Sequence, residues 1–208
     1  MKRSPHLSLA VAMALLTAVP LVLSASDTAK AASNPVEPGA SGSELDLASK
    51  VERGRYLVET SACHDCHTPW VMGPEGPHPD MSRALSGHPE DLLMPPAPTL
   101  PEGPWIAQFS ASNTAWAGPW GVSYTANLTP DEDTGLGLWT FDNFRDTIRH
   151  GRHLGRGRPV LPPMPWAVYR NMTDADLEAI YLYLRTVPAI RNKVPEPELP
   201  APQPAVAG

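Results

Sequence analysis

The run Cys63-His64-Asp65-Cys66-His67 decides how this chain is interpreted. Two thiols separated by two residues, with a histidine directly after the second, form the C-x-x-C-H pattern of covalent haem attachment. The spacing suits that chemistry, because both thiols can add to the vinyl groups on one edge of a porphyrin while the adjoining imidazole reaches the iron. The motif therefore predicts one covalently attached haem c, with Cys63 and Cys66 as anchors and His67 as an iron ligand.

Two other uses of a C-x-x-C pair stay open at this point. Thioredoxin-like redox motifs follow a strand in an α/β pattern, whereas prolines and short predicted helices follow this motif. A structural zinc site needs four ligands, usually including a second Cys or His pair, and His150 and His153 are spaced as such a pair. Haem is the favoured interpretation because His67 completes its pattern.

A second iron ligand is expected further along the chain, and methionine is common in small electron carriers. Met164 is the favoured residue, because the flanking prolines in Pro162-Pro163-Met164-Pro165 stiffen its backbone. Core packing is the alternative for Met164, and it explains Met172, which directly precedes a predicted helix. The predicted metal ligands are His67 and Met164, and a bis-histidine site would instead use one of His78, His88, His150 and His153.

The N-terminus has the pattern of an export signal. Lys2 and Arg3 precede an apolar run over residues 7–23, and Ala29-Lys30-Ala31 provides a cleavage site of small residues. We predict a signal peptide over residues 1–32 and a periplasmic mature protein. A retained membrane anchor is the alternative, although the apolar run is at the short limit for a bilayer span.

The rest of the chain divides by composition into three parts. Small and polar residues at 33–44 predict a flexible linker, residues 45–190 form the haem domain, and the proline-rich residues 191–208 form a loose tail. Helices are predicted from about 45 to 60, from an N-cap at Thr140 to a stop at Gly151, and from an N-cap at Thr173 to Pro188. Gly54 lies inside the first of them at a cost of about 1 kcal/mol, which suggests that another helix approaches it closely.

Residues from about 69 to 123 form a long insertion rich in proline and tryptophan. Proline disfavours regular helix and central strand in this segment. Each tryptophan has a large apolar surface to bury, so we predict an ordered insertion that wraps an apolar body. The tryptophans are Trp70, Trp105, Trp116 and Trp120.

The chain is acidic, with a net charge of −6, and removal of residues 1–32 makes it more so. Such a surface argues against nucleic acid as a partner. A basic run from Arg145 to Arg158 stands out against it. These arginines could pair with haem propionates, dock an acidic partner or form solvated surface, and the sequence leaves all three open.

Six motifs in this order resemble class I c-type cytochromes, which occur as soluble carriers and as haem subunits of periplasmic dehydrogenases. The resemblance runs from about residue 51 to 188, over RYLV at 55–58, CHDCHTP at 63–69, YTANLTPD at 124–131, TGLGLWT at 134–140, PPMPW at 162–166 and MTDADL at 172–177. It implies an all-α, cytochrome c-like helical domain whose first and last helices cross near the haem, with Gly54 against Tyr181 or Leu184. It also implies His67 and Met164 as iron ligands, with residues 127–139 packing on the haem.

The predicted function is that of an exported single-haem c-type cytochrome that transfers one electron at a time between redox proteins and is not itself a catalyst. Many similar dehydrogenase subunits carry two or three C-x-x-C-H motifs, whereas this chain has one. The alternatives are a single-haem subunit of a periplasmic dehydrogenase complex, and a haem enzyme or sensor. A membrane is expected as a partner only if the N-terminal segment is retained.

Overall fold

The computed structural model describes residues 42–200, in which two helices precede two small sheets along the chain and three helices follow them. The predicted signal peptide, the linker up to residue 41 and the tail from residue 201 lie outside the described residues. The helices are α1 (Gly42–Thr60), α2 (Cys63–His67), α3 (Phe141–His150), α4 (Trp166–Tyr169) and α5 (Asp174–Leu184), with short 3₁₀ turns at Met81–Arg83 and His153–Gly155. None of the helices in this part of the chain is long and apolar enough to cross a membrane.

The expectation of an all-α fold is wrong, because the insertion forms two antiparallel sheets and makes the domain a mixed α/β fold. One sheet pairs β1 (Trp70–Gly73) with β2 (Gly76–Pro79), and the other has the order β3 (Gln108–Phe109), β4 (Ala115–Gly118), β5 (Gly121–Tyr124). Both hairpins turn at a Gly-Pro-x-Gly sequence, at 73–76 and at 118–121. Proline and glycine at these positions favour a tight turn. The two turns allow strands to form even though the high proline content of the segment disfavours strands.

The prolines of β2 do not interrupt its pairing with β1. Pro79 is opposite Trp70 and Pro77 is opposite Met72, and the Trp70 N–H points away from β2 to the carbonyl of Ser112 at 2.9 Å. In an antiparallel ribbon the partner of such a residue also faces outward, where a missing N–H removes no ladder bond. Strand formation is therefore compatible with proline at these two sites.

The helical core lies where α1 crosses α5. Gly54 faces the Ala179 carbonyl so closely that a Cβ would overlap it. The crossing expected from the resemblance is therefore present, but its partner is Ala179 rather than Tyr181 or Leu184. The buried apolar side chains around it are Leu57, Val58, Leu85, Leu136, Phe144, Ile148, Leu177, Ala179, Ile180 and Leu184.

The predicted caps of the later helices are confirmed. Thr140 and Asn143 form a reciprocal capping box at the start of α3, and Gly151 ends that helix in the left-handed region with φ 62°. Thr173 caps α5 by accepting a bond from the Asp176 N–H. These local signals position α3 and α5 against the core.

The C-terminal segment is attached to the domain as far as residue 200. Asn192 is buried and bonds to the backbone of residues 86, 88 and 90. Further on, Glu198 and Val122 exchange two backbone hydrogen bonds along the outer edge of β5. The first part of the segment predicted to be a loose tail is thus held by specific bonds.

Candidate functional site

The C-x-x-C-H motif forms the short helix α2 directly after α1. Ala62, with φ 59°, turns the chain between the two helices. Cys63 and Cys66 are half-buried free thiols, and burial raises the pKa of Cys63 to about 11 and also raises that of Cys66. Thioredoxin-like motifs need the opposite shift, toward a reactive thiolate, so the local environment disfavours that alternative.

His67 is buried, and its ring is oriented by a backbone carbonyl. Its Nδ1 lies 2.8 Å from the Ala126 oxygen. Because a carbonyl oxygen only accepts hydrogen bonds, Nδ1 carries the proton and Nε2 keeps its lone pair. Burial lowers the pKa of His67, so the ring is neutral at pH 7. Metal-bound histidines typically have this arrangement, with one nitrogen held by a carbonyl and the other on the metal.

The insertion holds the motif through three further bonds. The Gly87 N–H donates to the His67 carbonyl at 2.8 Å, and the Leu85 N–H donates to the hydroxyl of the fully buried Thr68 at 2.9 Å. The Asn113 amide donates to the Asp65 carbonyl at 2.7 Å. The position of α2 therefore depends on residues of the insertion up to 48 positions away in the chain.

Met164 lies at the edge of the same apolar cluster that Cys63 contacts. Its loop is fixed at Pro162, whose carbonyl accepts the Ser123 hydroxyl, and at Met164 itself, whose carbonyl accepts the Trp166 N–H at 2.9 Å. Met172 borders this cluster too. The structure thus brings Cys63 and Met164 to one cluster, and packing alone does not separate Met164 from Met172.

The histidines proposed for a bis-histidine site are less suited to a ligand role. His78, His150 and His153 are exposed. His88 is buried, with Nδ1 2.9 Å from the Thr114 hydroxyl and Nε2 2.9 Å from the Leu92 carbonyl. Both of its ring nitrogens are therefore occupied within the protein.

The zinc alternative finds no ligand set in residues 42–200, where no three His, Cys, Asp or Glu side chains are grouped to hold a metal ion. In the basic run, Arg145 pairs with Asp142 and Asp146, and Arg149 pairs with Asp174. Arg158 pairs with Glu196 at 3.4 Å. Because these three arginines pair with carboxylates of the protein itself, the structure favours solvated surface over pairing with haem propionates for them.

The loop at 127–139, implied to pack on the haem, is built around a buried amide. Asn127 donates to the Ile190 carbonyl at 2.8 Å and accepts from the Thr129 N–H at 3.0 Å. Leu136 of the same loop enters the core. The loop is therefore joined to both the core and the C-terminal segment.

The residues present fit a covalent haem. Two free thiols lie one helical turn apart beside an imidazole whose Nε2 is available, and a thioether lies at the cluster that the first thiol contacts. The hydroxyls of Ser86 and Thr125 are also buried without a protein partner, and each directly precedes a residue bonded to His67. This donor set matches the groups that attach and ligate haem c.

Several residues that support the site were given no role from the sequence, although Thr68 and Ala126 lie within the motifs quoted for the resemblance. Ala126 acts through its carbonyl, which every residue type provides. Thr68 and Asn113 act through common polar side chains. Gly87 is different, because glycine is itself a sequence signal for a constrained backbone. Its φ is 77°, and a Cβ would overlap the Thr125 carbonyl.

Comparison with known proteins identifies relatives, although no family model matches the chain. A subunit of the nicotinate dehydrogenase of Pseudomonas putida is 30% identical over 178 residues, covering 84% of this chain and 12% of that protein. The fructose dehydrogenase cytochrome subunit of Gluconobacter japonicus is 28% identical over 153 residues, covering 73% and 24%. The diheme cytochrome c-type protein of Cereibacter sphaeroides is 33% identical over 151 residues, covering 71% and 38%.

The chain thus spans less than two fifths of the length of each of these three relatives. Other relatives are cytochrome c subunits of gluconate 2-dehydrogenase and of quinone-dependent alcohol dehydrogenase. Together with the geometry of α2, these similarities support a c-type cytochrome, related to the cytochrome c subunits of dehydrogenases.

Proposed function

We propose that this chain is an exported cytochrome with one covalently attached haem c, which passes single electrons between redox proteins. The observation that carries the proposal is the buried His67 ring, held through Nδ1 by Ala126 with Nε2 free beside two unpaired thiols. A catalytic or regulatory C-x-x-C pair would not need this neutral, oriented imidazole. The single motif in the sequence sets the proposed number of haems at one.

Each residue of the site has a distinct role in this proposal. Cys63 and Cys66 would tether the haem, while His67 and Met164 would hold its iron. Haem iron supplies a one-electron couple whose potential depends on its ligands and its burial. If His67 and Met164 both hold the iron, the protein leaves no ligand position for a substrate, and electron transfer is the chemistry that the haem would supply.

We propose a dehydrogenase subunit as the electron donor and the periplasm as the location. The donor is suggested by the relatives named as dehydrogenase subunits. The location is suggested by the signal pattern at residues 1–32 and by the chemistry of haem attachment to exported thiols.

A pyridine haemochrome spectrum of protein exported with haem-attachment machinery tests the proposal. We expect a c-type spectrum and one haem per chain for the wild type. Cys66→Ala should lose one thioether link and shift the spectrum, and the Cys63→Ala/Cys66→Ala double variant should purify without covalent haem. Colourless wild-type protein, or haem that leaves on acid–acetone extraction, would refute the proposal.

A second measurement separates electron transfer from a haem enzyme or sensor. Carbon monoxide added to the reduced protein should leave the spectrum unchanged, because Met164 would already hold the iron. Rapid formation of a carbon monoxide adduct would instead indicate an open coordination site and favour the enzyme or sensor alternative.

A further inference from the structure

Tyr169, the last residue of α4, is hydrogen-bonded to the turn that precedes the haem motif. Its hydroxyl donates to the Ser61 carbonyl at 2.5 Å, and Ser61 lies in the two-residue turn between α1 and α2. No other hydrogen bond joins the described residues 46–68 to residues 160–172. This bond is therefore the polar link between the segment with the predicted haem anchors and the segment with the predicted second iron ligand.

The acceptor of this bond lies beside the first anchoring cysteine. The Cys63 Sγ is 3.9 Å from the same Ser61 oxygen, and Cys63 and Tyr169 both border the apolar cluster. Burial, followed by the nearby Cys63 and Cys66, raises the pKa of Tyr169 to about 12. The hydroxyl therefore keeps its proton at neutral pH and remains a hydrogen-bond donor. The position of Tyr169 is thus coupled to the point at which the haem would be tethered.

The backbone between Met164 and Tyr169 forms a short rigid segment. The Trp166 N–H donates to the Met164 carbonyl at 2.9 Å, and the Val168 and Tyr169 N–H groups donate to the Pro165 carbonyl at 2.9 Å and 3.2 Å. The proline ring also restricts the backbone directly after Met164. Because these bonds overlap along the chain, a displacement of Met164 displaces Tyr169 with it.

The other hydrogen bonds of this segment hold it to different parts of the domain. The Ser123 hydroxyl of β5 donates to the Pro162 carbonyl, and the Arg149 side chain of α3 donates to the Arg170 carbonyl. Neither of these bonds reaches α1 or α2. Hydrogen bonding between the segment and the turn before the haem motif therefore depends on Tyr169.

We propose that Tyr169 is a positioning residue for the second iron ligand. Its bond to Ser61 would keep the rigid segment at the turn that leads into Cys63, and so keep the Met164 thioether within reach of the iron. The inference rests on the proposed function and adds how the chain retains its second ligand. Residues that hold a metal ligand in place strengthen the bond between that ligand and the metal.

Imidazole titration of the ferric, haem-loaded protein tests the inference. Imidazole competes with Met164 for the iron, and loss of the far-red charge-transfer band of the methionine–iron bond reports the exchange. Since departure of Met164 would also break the bond between Tyr169 and Ser61, this bond opposes the exchange. Tyr169→Phe keeps the ring and removes the donor, so the apparent imidazole affinity should rise about fivefold, the factor that one hydrogen bond contributes.

Tyr181→Phe is the matched control. The Tyr181 hydroxyl also donates to a backbone carbonyl, that of Trp139 at 2.8 Å, and Tyr181 is also half-buried at the apolar cluster. Its bond joins α5 to the loop at 127–139 and does not involve the Met164 segment. Tyr181→Phe should therefore lower the free energy of unfolding about as much as Tyr169→Phe while the imidazole affinity stays at the wild-type value.

The same titration in a Met164→Ala background separates positioning from a general effect on the haem. With no thioether to displace, Tyr169→Phe should no longer change the imidazole affinity. A gain that persists in this background would overturn the inference, because Tyr169 would then act independently of Met164.

The remaining outcomes distinguish the inference from the proposed function. Equal imidazole affinity of wild type and Tyr169→Phe, with the far-red band present in both, overturns the inference and leaves the proposed function standing. Equal gains in Tyr169→Phe and Tyr181→Phe also overturn the inference, since loss of stability alone would then explain them. Wild-type protein without covalent haem or without the band overturns the proposed site itself, and the inference with it.

Discussion

Asn192→Ala is expected to destabilise the domain by about 3 kcal/mol. The side chain is 2% exposed, and its amide donates to the Ser86 carbonyl at 2.7 Å and to the His88 carbonyl at 2.8 Å. Its oxygen accepts the Glu90 N–H at 2.8 Å. Each such bond contributes about 1 kcal/mol net, and a buried group left without a partner costs about 1–3 kcal/mol, so three lost bonds give the stated magnitude.

Guanidinium titration of the haem-loaded protein checks this value. Tryptophan fluorescence and haem absorbance then report the free energy of unfolding. Asn171→Ala is the matched control, because Asn171 bonds to two carbonyls from an exposed position and its loss should cost less than about 0.5 kcal/mol. Asn192→Asp should be at least as damaging as alanine, since it places a carboxylate against two carbonyl oxygens. An Asn192→Ala variant within about 0.5 kcal/mol of wild type would refute the reasoning.

Three further outcomes are expected. Gly54→Ala should lower the unfolding free energy by about 1–3 kcal/mol, because its Cβ overlaps the Ala179 carbonyl, and adding Ala179→Gly should not rescue it, since the overlap is with the main chain. Met164→Ala should abolish the far-red charge-transfer band of a methionine–ferric iron bond, whereas Met172→Ala should keep it; the reverse result would reassign the ligand. Burial lowers the pKa of His88 below 6.5, so the buried neutral ring contributes stability above about pH 6.5 that is lost as the pH falls. Between pH 7.5 and pH 5.5, the free energy of unfolding should therefore fall more for wild type than for His88→Gln.

The helical part of the domain was largely predictable from local signals. Thr140, Gly151 and Thr173 mark helix ends through chemistry confined to a few neighbouring residues, and such signals do not depend on the rest of the fold. The close helix contact at Gly54 was also expected. Its partner was not, because sequence periodicity gives the buried face of α5 but not its rotation against α1.

The sheets were not predicted, although the sequence carries a signal for them. The Gly-Pro-x-Gly sequences at 73–76 and 118–121 each join two strands, whereas the proline content of the whole segment argues against strands. The turn geometry decides the outcome, because the prolines of β2 lie where no ladder bond is lost. An all-α expectation drawn from resemblance gave those turns no role.

The surroundings of the haem motif could not be predicted for a different reason. Ala126 reaches His67 through its backbone across 59 positions, and Asn192 reaches Ser86 across 106 positions. Such bonds exist only after the chain has folded, so no local pattern of residue types encodes them.

The attachment of the C-terminal segment bears on the order in which the protein matures under the proposed export. A chain that crosses a membrane N-terminus first delivers Cys63 to His67 well before Asn192 arrives to tie down residues 86, 88 and 90. During that interval both thiols belong to an open peptide that an attachment enzyme can reach. The domain then closes when Asn192 binds residues 86, 88 and 90. We therefore expect haem attachment to precede this step, and the closed domain to keep the attached haem and His67 away from solvent.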